Sequence, residues 1–248
     1  MKRFHLKAFA LSSIVLAGLL FSACNKFDNE DNNTPVAGLM AFNLAPDKTV
    51  GFAIGGNALT NSPLSFASYT GGYLGIYPGN RSIESYDYMT GDSIASASFD
   101  FQAEKYYSAF VVGTGGTYQN VIVNDNLDSL SSSSGPYIRY INAIAGSGSP
   151  AVTISVNGNN VVNSDAPFAS VSDFVAVTPG EVAITFNQGS TNASRTITLE
   201  QKKVYTVLFA SGATTTDPAQ IRYVENGMLE DEVSGQTISS SAQSVNIR

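Results

Sequence analysis

Residues 50–68 read VGFAIGGNALTNSPLSFAS, and residues 152–170 read VTISVNGNNVVNSDAPFAS. Aligned without a gap at an offset of 102, the two stretches share Val50/Val152, Gly56/Gly158, Asn57/Asn159, Asn61/Asn163, Ser62/Ser164, Phe66/Phe168, Ala67/Ala169 and Ser68/Ser170. Val50, Phe52 and Ile54 alternate with Gly51, Ala53 and Gly55. Val152, Ile154 and Val156 alternate with Ala151, Thr153 and Ser155. Period two with one apolar face predicts a half-buried strand. The Gly-Gly-Asn and Asn-Gly-Asn segments that follow predict hairpin turns, because glycine and asparagine tolerate positive φ.

The similarity extends outward after short slips. Pro78-Gly79 matches Pro179-Gly180, Lys105-Tyr106-Tyr107 matches Lys203-Val204-Tyr205, and residues 119–123 match residues 220–224. Two copies of a unit near 100 residues mean a duplicated domain, since solenoid repeats run about 20–50 residues. Leu74/Ile76 matches Val175/Val177 before a Pro-Gly turn. Val182, Ile184 and Phe186 mark the next strand, and Phe99/Phe101 matches Ile197/Leu199. Residues 107–112 and 205–209 are the most apolar stretches and are expected at the centre of their sheets. No segment holds a helical period. The expected fold is all-β, with two tandem antiparallel, Ig-like β-sandwich domains following a lipoprotein signal peptide. The expected boundaries are 1–23 for the signal peptide, 24–37 for a flexible acidic tether, 38–128 for the first sandwich, 129–135 for a serine-rich flexible linker, 136–230 for the second sandwich and 231–248 for a polar tail.

Several of these motifs resemble one family. Arg139-Tyr140-Ile141-Asn142-Ala143, the strand ending in Val156-Asn157-Gly158, Phe168-Ala169-Ser170, Pro179-Gly180 and Tyr205-Thr206-Val207 are similar to the secreted bacterial "domain of unknown function 4397" family. The resemblance covers residues 137–228, and residues 39–127 less faithfully. Asn43, Ala45, Pro46 and Asp47 fit the first loop, but Met40 stands where the family pattern has arginine. The resemblance implies a β-sandwich in a secreted or cell-surface protein and carries no activity.

The N-terminus predicts the compartment. Lys2, Arg3 and Lys7 precede an apolar run over residues 8–21, which is too short to span a bilayer comfortably and fits a signal peptide. The run ends in Leu20-Phe21-Ser22-Ala23-Cys24, which looks like a lipobox with lipidation at Cys24. The polar stretch NKFDNEDNNTP over residues 25–35 cannot bury a core. Its Lys26, Asp28, Glu30 and Asp31 are similar to the acidic export signals of Bacteroidota surface lipoproteins. The expected location is lipid-anchored in the outer membrane, at the cell surface.

Composition narrows the chemistry. Loss of residues 1–23 leaves 10 basic against 20 acidic side chains, about −10 in net charge, which argues against a nucleic-acid partner. The one histidine, His5, leaves with the signal, and the one cysteine is the lipidation site. Histidine- and cysteine-based nucleophilic catalysis, His/Cys zinc sites and disulfides are thereby excluded from the mature chain. No motif pairs the carboxylates Glu84, Asp87, Asp92, Asp100 and Glu104 for glycoside hydrolysis. Residues 124–128 lack the EF-hand glycine and distal glutamate. No cofactor, metal or catalytic residue is expected.

Eight of the twelve tyrosines lie in the first copy. Leu74 and Ile76 point to a core, so Tyr73 and Tyr77 share the opposite face with Gly75 between them. Tyr86 and Tyr88 likewise share a face. Tyr73, Tyr77, Tyr86 and Tyr88 are therefore the candidate platform for a sugar ring or a partner protein. Tyr73 aligns with Phe174, which points to burial, and Tyr77 with Thr178, which points to exposure. Asp92-Ser93-Ile94 and Asp128-Ser129-Leu130 are similar to the Bacteroidota O-glycosylation sequon, at Ser93 and Ser129. The expected function is a non-catalytic envelope lipoprotein that binds a glycan or surface protein. The alternatives are a fimbrillin-like structural subunit and a glycan-active enzyme.

Overall fold

The computed structural model describes residues 35–146, 150–213 and 217–230. The expected signal peptide, Cys24, the tether up to residue 34 and the tail 231–248 lie outside the described residues.

The first repeat contains β1 (Ala37–Asn43), β2 (Val50–Ile54), β3 (Asn57–Ala58), β4 (Ser68–Tyr69), β5 (Leu74–Ile76), β6 (Gly79–Asp87), β7 (Ser93–Phe101), β8 (Tyr106–Thr114) and β9 (Thr117–Asn124). The second contains β10 (Tyr137–Asn142), β11 (Ala151–Val156), β12 (Asn159–Asp165), β13 (Val175–Ala176), β14 (Gly180–Gln188), β15 (Thr191–Leu199), β16 (Lys203–Ala210) and β17 (Gln220–Met228). Each repeat is a β-sandwich. The first stacks the sheet β4-β1-β8-β9, with β5 also on β1, against β3-β2-β6-β7. The second stacks β13-β10-β16-β17 against β12-β11-β14-β15.

The predicted turns are present. Gly55 and Gly56 sit at φ 56° and 82°, and Asn157 and Gly158 at 50° and 79°. One pairing in each repeat departs from the antiparallel expectation: β1 runs parallel to β8, and β10 runs parallel to β16. The chain leaves β1, builds the facing sheet, and returns as β8, a crossover long enough for a parallel neighbour.

β8 and β16 are central, as their apolar character predicts, and each is buried on both faces. The cause is a third core. One face of β1 and β8 sends Leu39, Ala41, Tyr107, Ala109 and Val111 into the first sandwich. The other face sends Met40, Phe42, Phe110 and Val112 against Ile141, Ala143, Leu208 and Val224 of the second repeat. Strands buried on both sides read as continuous apolar runs rather than alternating ones. The Phe42 and Phe110 rings stack with centroids 4.6 Å apart at the middle of this shared cluster.

The serine-rich stretch expected as a flexible linker is folded. It forms 3-10 turns at Leu127–Ser129 and Ser132–Ser134. Leu127 is buried, and Leu130 packs against Tyr137, Val204 and Leu229. The Ser131 amide donates to the Tyr137 hydroxyl. Two leucines with a place to bury outweigh the polar composition around them.

The shared core also holds charge. Arg139 Nη1 lies 2.7 Å from Asp125 Oδ1. Arg139 Nη2 donates to Ser108 Oγ at 2.8 Å, and its Nε to Thr206 Oγ1 at 3.0 Å. Its guanidinium lies over the Phe174 ring at 4.3 Å. The Tyr73 and Ser108 hydroxyls donate to Asp125 Oδ2. This network crosses between the repeats at one end of the interface. The arginine of the R-x-x-N-A motif therefore holds the two repeats together.

The asparagine of that motif braces a loop in both copies. Asn43 Nδ2 donates to the Lys48 and Leu64 carbonyls, and its Oδ1 accepts from Ala45 N–H. Asn142 Nδ2 donates to the Ala166 carbonyl, and its Oδ1 accepts from Ile144 N–H.

Candidate functional site

Hydrogen-bond register fixes which loops cluster. Asn43 ends β1 beside Val111 of β8, and Val50 opens β2 beside Asp87 of β6. The β1–β2, β6–β7 and β8–β9 connections therefore meet at one end of the first sandwich, here the apex. The chain enters β1 at the other end, where Ala37 pairs with Ile76.

At the apex, Asp47 Oδ2 accepts from the Gly115 amide at 3.0 Å and from the Tyr118 hydroxyl at 2.6 Å. Burial alone would raise the Asp47 carboxyl. The Tyr118 and Gly115 hydrogen bonds and the nearby Lys48 charge reverse that and hold it below its ordinary 3.8. Burial and the Asp47 bond push the Tyr118 phenol up. Lys48 Nζ lies 2.6 Å from Asp87 Oδ2. Their hydrogen bond raises the ammonium and lowers the carboxyl, so both stay charged. Gly115 and Gly116 form the two-residue turn of the β8–β9 hairpin at φ 63° and 88°. Together, Asp47, Lys48, Asp92, Ser93, Ile94, Gly115, Gly116 and Tyr118 line an open depression of about 430 Å³.

The β6–β7 connection sets the first repeat apart. Strands β6 and β14 are each nine residues long, as are β7 and β15. The second repeat joins its pair with two residues, Gly189 and Ser190. The first uses five, residues 88–92. A two-residue turn satisfies the fold, so three residues are extra. They carry large exposed apolar side chains, with Tyr88 45% and Met89 80% exposed. Tyr88 N–H donates to the Thr49 carbonyl, beside Lys48.

The four tyrosines named from sequence do not form one surface. Tyr73 lies against Tyr106 at the inter-repeat interface, and its hydroxyl is spent on Asp125. Burial and the Asp125 charge push that phenol well above its ordinary 10. Tyr77 is 66% exposed but follows β5 at the chain-entry end. The nine residues of β6 separate it from Tyr88 by about 30 Å at about 3.3 Å per residue. Tyr86 is half-buried on the outer face of β6, opposite Gly51. A β-carbon at Gly51 would come within 2.2 Å of the Tyr86 ring, so the ring lies over that glycine. Tyr88 alone of the four is at the apex. Ser93 is exposed and lines the depression. Ser129 is exposed in its 3-10 turn, with its hydroxyl donating to the Asn126 carbonyl.

Sequence reading by tyrosine faces missed Asp47, Tyr118 and the longer connection. A signal for the last exists: the repeat offset drops from 101 at Pro78/Pro179 to 98 at Lys105/Lys203, a three-residue excess in the first copy. Among the described residues, no three His, Cys, Asp or Glu side chains converge on a metal position.

No curated protein matches the sequence. Solved structures that resemble it include a family CBM26 module of Eubacterium rectale in complex with maltoheptaose. That match has 11% identity and a TM-score of 0.22, and spans 75% of this chain and 96% of that one. Another is a Bacteroides ovatus protein assigned provisionally to cell adhesion, with 10% identity and a TM-score of 0.23, spanning 79% and 99%. The second repeat is where a family likeness falls: residues 136–244 match the model described as Domain of unknown function (DUF4397).

Proposed function

We propose that this protein is a non-catalytic, lipid-anchored envelope protein that uses the apex of its first repeat to bind a glycan or a surface protein. The observation that carries this reading is the extended β6–β7 connection. Three residues beyond what a hairpin needs hold Tyr88 and Met89 in solvent, an arrangement that adds no core packing. Large apolar side chains exposed together on a loop fit a contact surface.

The chain's direction supports presentation. It enters the first sandwich at Pro35–Val36, at the end opposite the apex. An anchor at Cys24 would join the sandwich at that end and leave the apex free for contact. The second repeat acts as the brace through the shared core and the Arg139–Asp125 pair.

Two measurements test the proposal. Cys24→Ala should move the protein from the membrane to the soluble fraction, and unchanged membrane retention would overturn the anchor. Replacing residues 88–92 by Gly-Ser, the connection of the second repeat, should reduce adhesion of displaying cells to glycan- or protein-coated surfaces. Equal adhesion by both forms would overturn the apex.

A further inference from the structure

We infer that the apex depression is a site for an uncharged oligosaccharide, one site per chain; this rests on the apex reading above and names its ligand class. Among the described residues, Lys48 is the one cationic side chain lining the depression, and Asp87 already neutralises it at 2.6 Å. Asp47 and Asp92 leave the rim negative, and Asp47 stays ionised because Tyr118 and Gly115 donate to it. A phosphate, sulfate or uronate would meet carboxylates with no cation to receive it, in a chain whose own charge is −7.

The lining chemistry selects among uncharged partners. Protein-binding hot spots centre on large aromatic or arginine side chains seated in dry, well-packed pockets. Here the lining is polar: two carboxylates, an ammonium, the Ser93 and Tyr118 side chains and the Gly115–Gly116 backbone, with Ile94 as its apolar member. The large apolar groups, Tyr88 and Met89, stand on the loop beside it. A sugar ring offers the matching pair of surfaces. Its hydroxyls donate to carboxylates in charge-assisted bonds, and its C–H face packs on a tyrosine ring or a thioether chain.

The second repeat cannot repeat the site. Counting from the shared asparagine, Gly146 stands in place of Asp47. Counting from Gln119/Gln220, Ala219 stands in place of Tyr118, and Gly189 in place of Tyr88. One repeat holds both the polar and the apolar half of the site.

The test uses the full-length chain in detergent micelles. Isothermal titration is run with neutral xylo-, manno- and gluco-oligosaccharides, with oligogalacturonate as the acidic arm, and with a panel of basic peptides. One class of neutral oligosaccharide should bind at a stoichiometry near one. Replacing residues 88–92 by Gly-Ser, a turn the fold already uses, should weaken it by about tenfold or more with the unfolding midpoint unchanged. Asp47→Ala should weaken it by a similar factor. Binding of oligogalacturonate or a peptide instead, lost with the loop, would overturn the ligand class and keep the apex. Neutral binding that survives the loop exchange would overturn the apex. Failure of every probe to bind would overturn the inference.

Discussion

Arg139 Nη1 reaches Asp125 Oδ1 at 2.7 Å across the interface between the repeats, with the two side chains 2% and 0% exposed. Their counterparts by repeat alignment are Met40 and Asn226. The first repeat thus brings methionine and aspartate to the interface, and the second brings arginine and asparagine. A like-with-like pairing of either copy would bury an unpartnered charge, so the pair selects the unlike partner. Arg139→Met strands a buried carboxylate, and Asp125→Asn strands a guanidinium. Each single change should lower stability by about 3–5 kcal/mol. The double variant leaves no charge to strand and should recover most of that. Urea titrations of the four proteins read the coupling directly; a double variant as destabilised as the two singles combined would contradict it.

The Phe-Ala-Ser segment supplies a second prediction. Ala67 and Ala169 occupy the same left-handed region at φ 57° and 66°. Each donates its N–H to the carbonyl of its brace, Asn43 or Asn142. That conformation costs a residue with a β-carbon about 1–2 kcal/mol. Ala169→Gly removes the strain and adds freedom to the unfolded chain, so the two effects oppose each other. The midpoint of thermal unfolding should hold or rise, with a net gain of about 0–1 kcal/mol. The same change at Ala109, an extended residue buried in β8, should lower it.

These residues show what was legible beforehand. Strand alternation, the Asn157-Gly158 turn and the repeat itself are local patterns, and each is present in the fold. The Met40-for-arginine difference was visible, but its meaning was not, because Asp125 lies 14 residues upstream of Arg139 in the other repeat. The shared core was hidden for a related reason. A strand buried on both faces looks the same whether its second face meets a helix, a sheet or another domain. The linker misled through composition, since Leu127 and Leu130 pack into a buried cluster and the serines close the turns around them, Ser131 accepting from the Ser133 N–H. Alternation along a strand says nothing of the distance between strand ends, and whether Tyr77 and Tyr88 lie near each other depends on the length of β6.

Asp47 gives the apex a pH dependence. Its carboxyl is held below the ordinary 3.8 when folded, so its brace on the β8–β9 turn is complete above that value and fades as pH falls through the lower folded one. The Gly115 amide should be protected from hydrogen exchange at about pH 5 and should lose protection under stronger acid. Asp47→Asn should abolish the pH step, because its amide does not titrate. A step that persists in Asp47→Asn would assign it to another group.

The shared core makes a prediction about the whole folded unit. Phe110 is fully buried between the repeats, stacked on Phe42 and packed in the cluster with Ile141 and Leu208. Phe110→Ala should cost about 3–5 kcal/mol, the sum of lost burial and a cavity that rigid strands fill poorly. Two sandwiches on a free linker would confine that loss to the first. Here the cluster belongs to both, and the folded 127–134 turns leave no slack between them. Hydrogen exchange separates the cases. Ile83 in β6 and Ile184 in β14 are fully buried in different sandwiches. Their amides should accelerate by the same factor in Phe110→Ala if the repeats open as one unit. Acceleration at Ile83 alone would mean that the second repeat stays folded when the first opens.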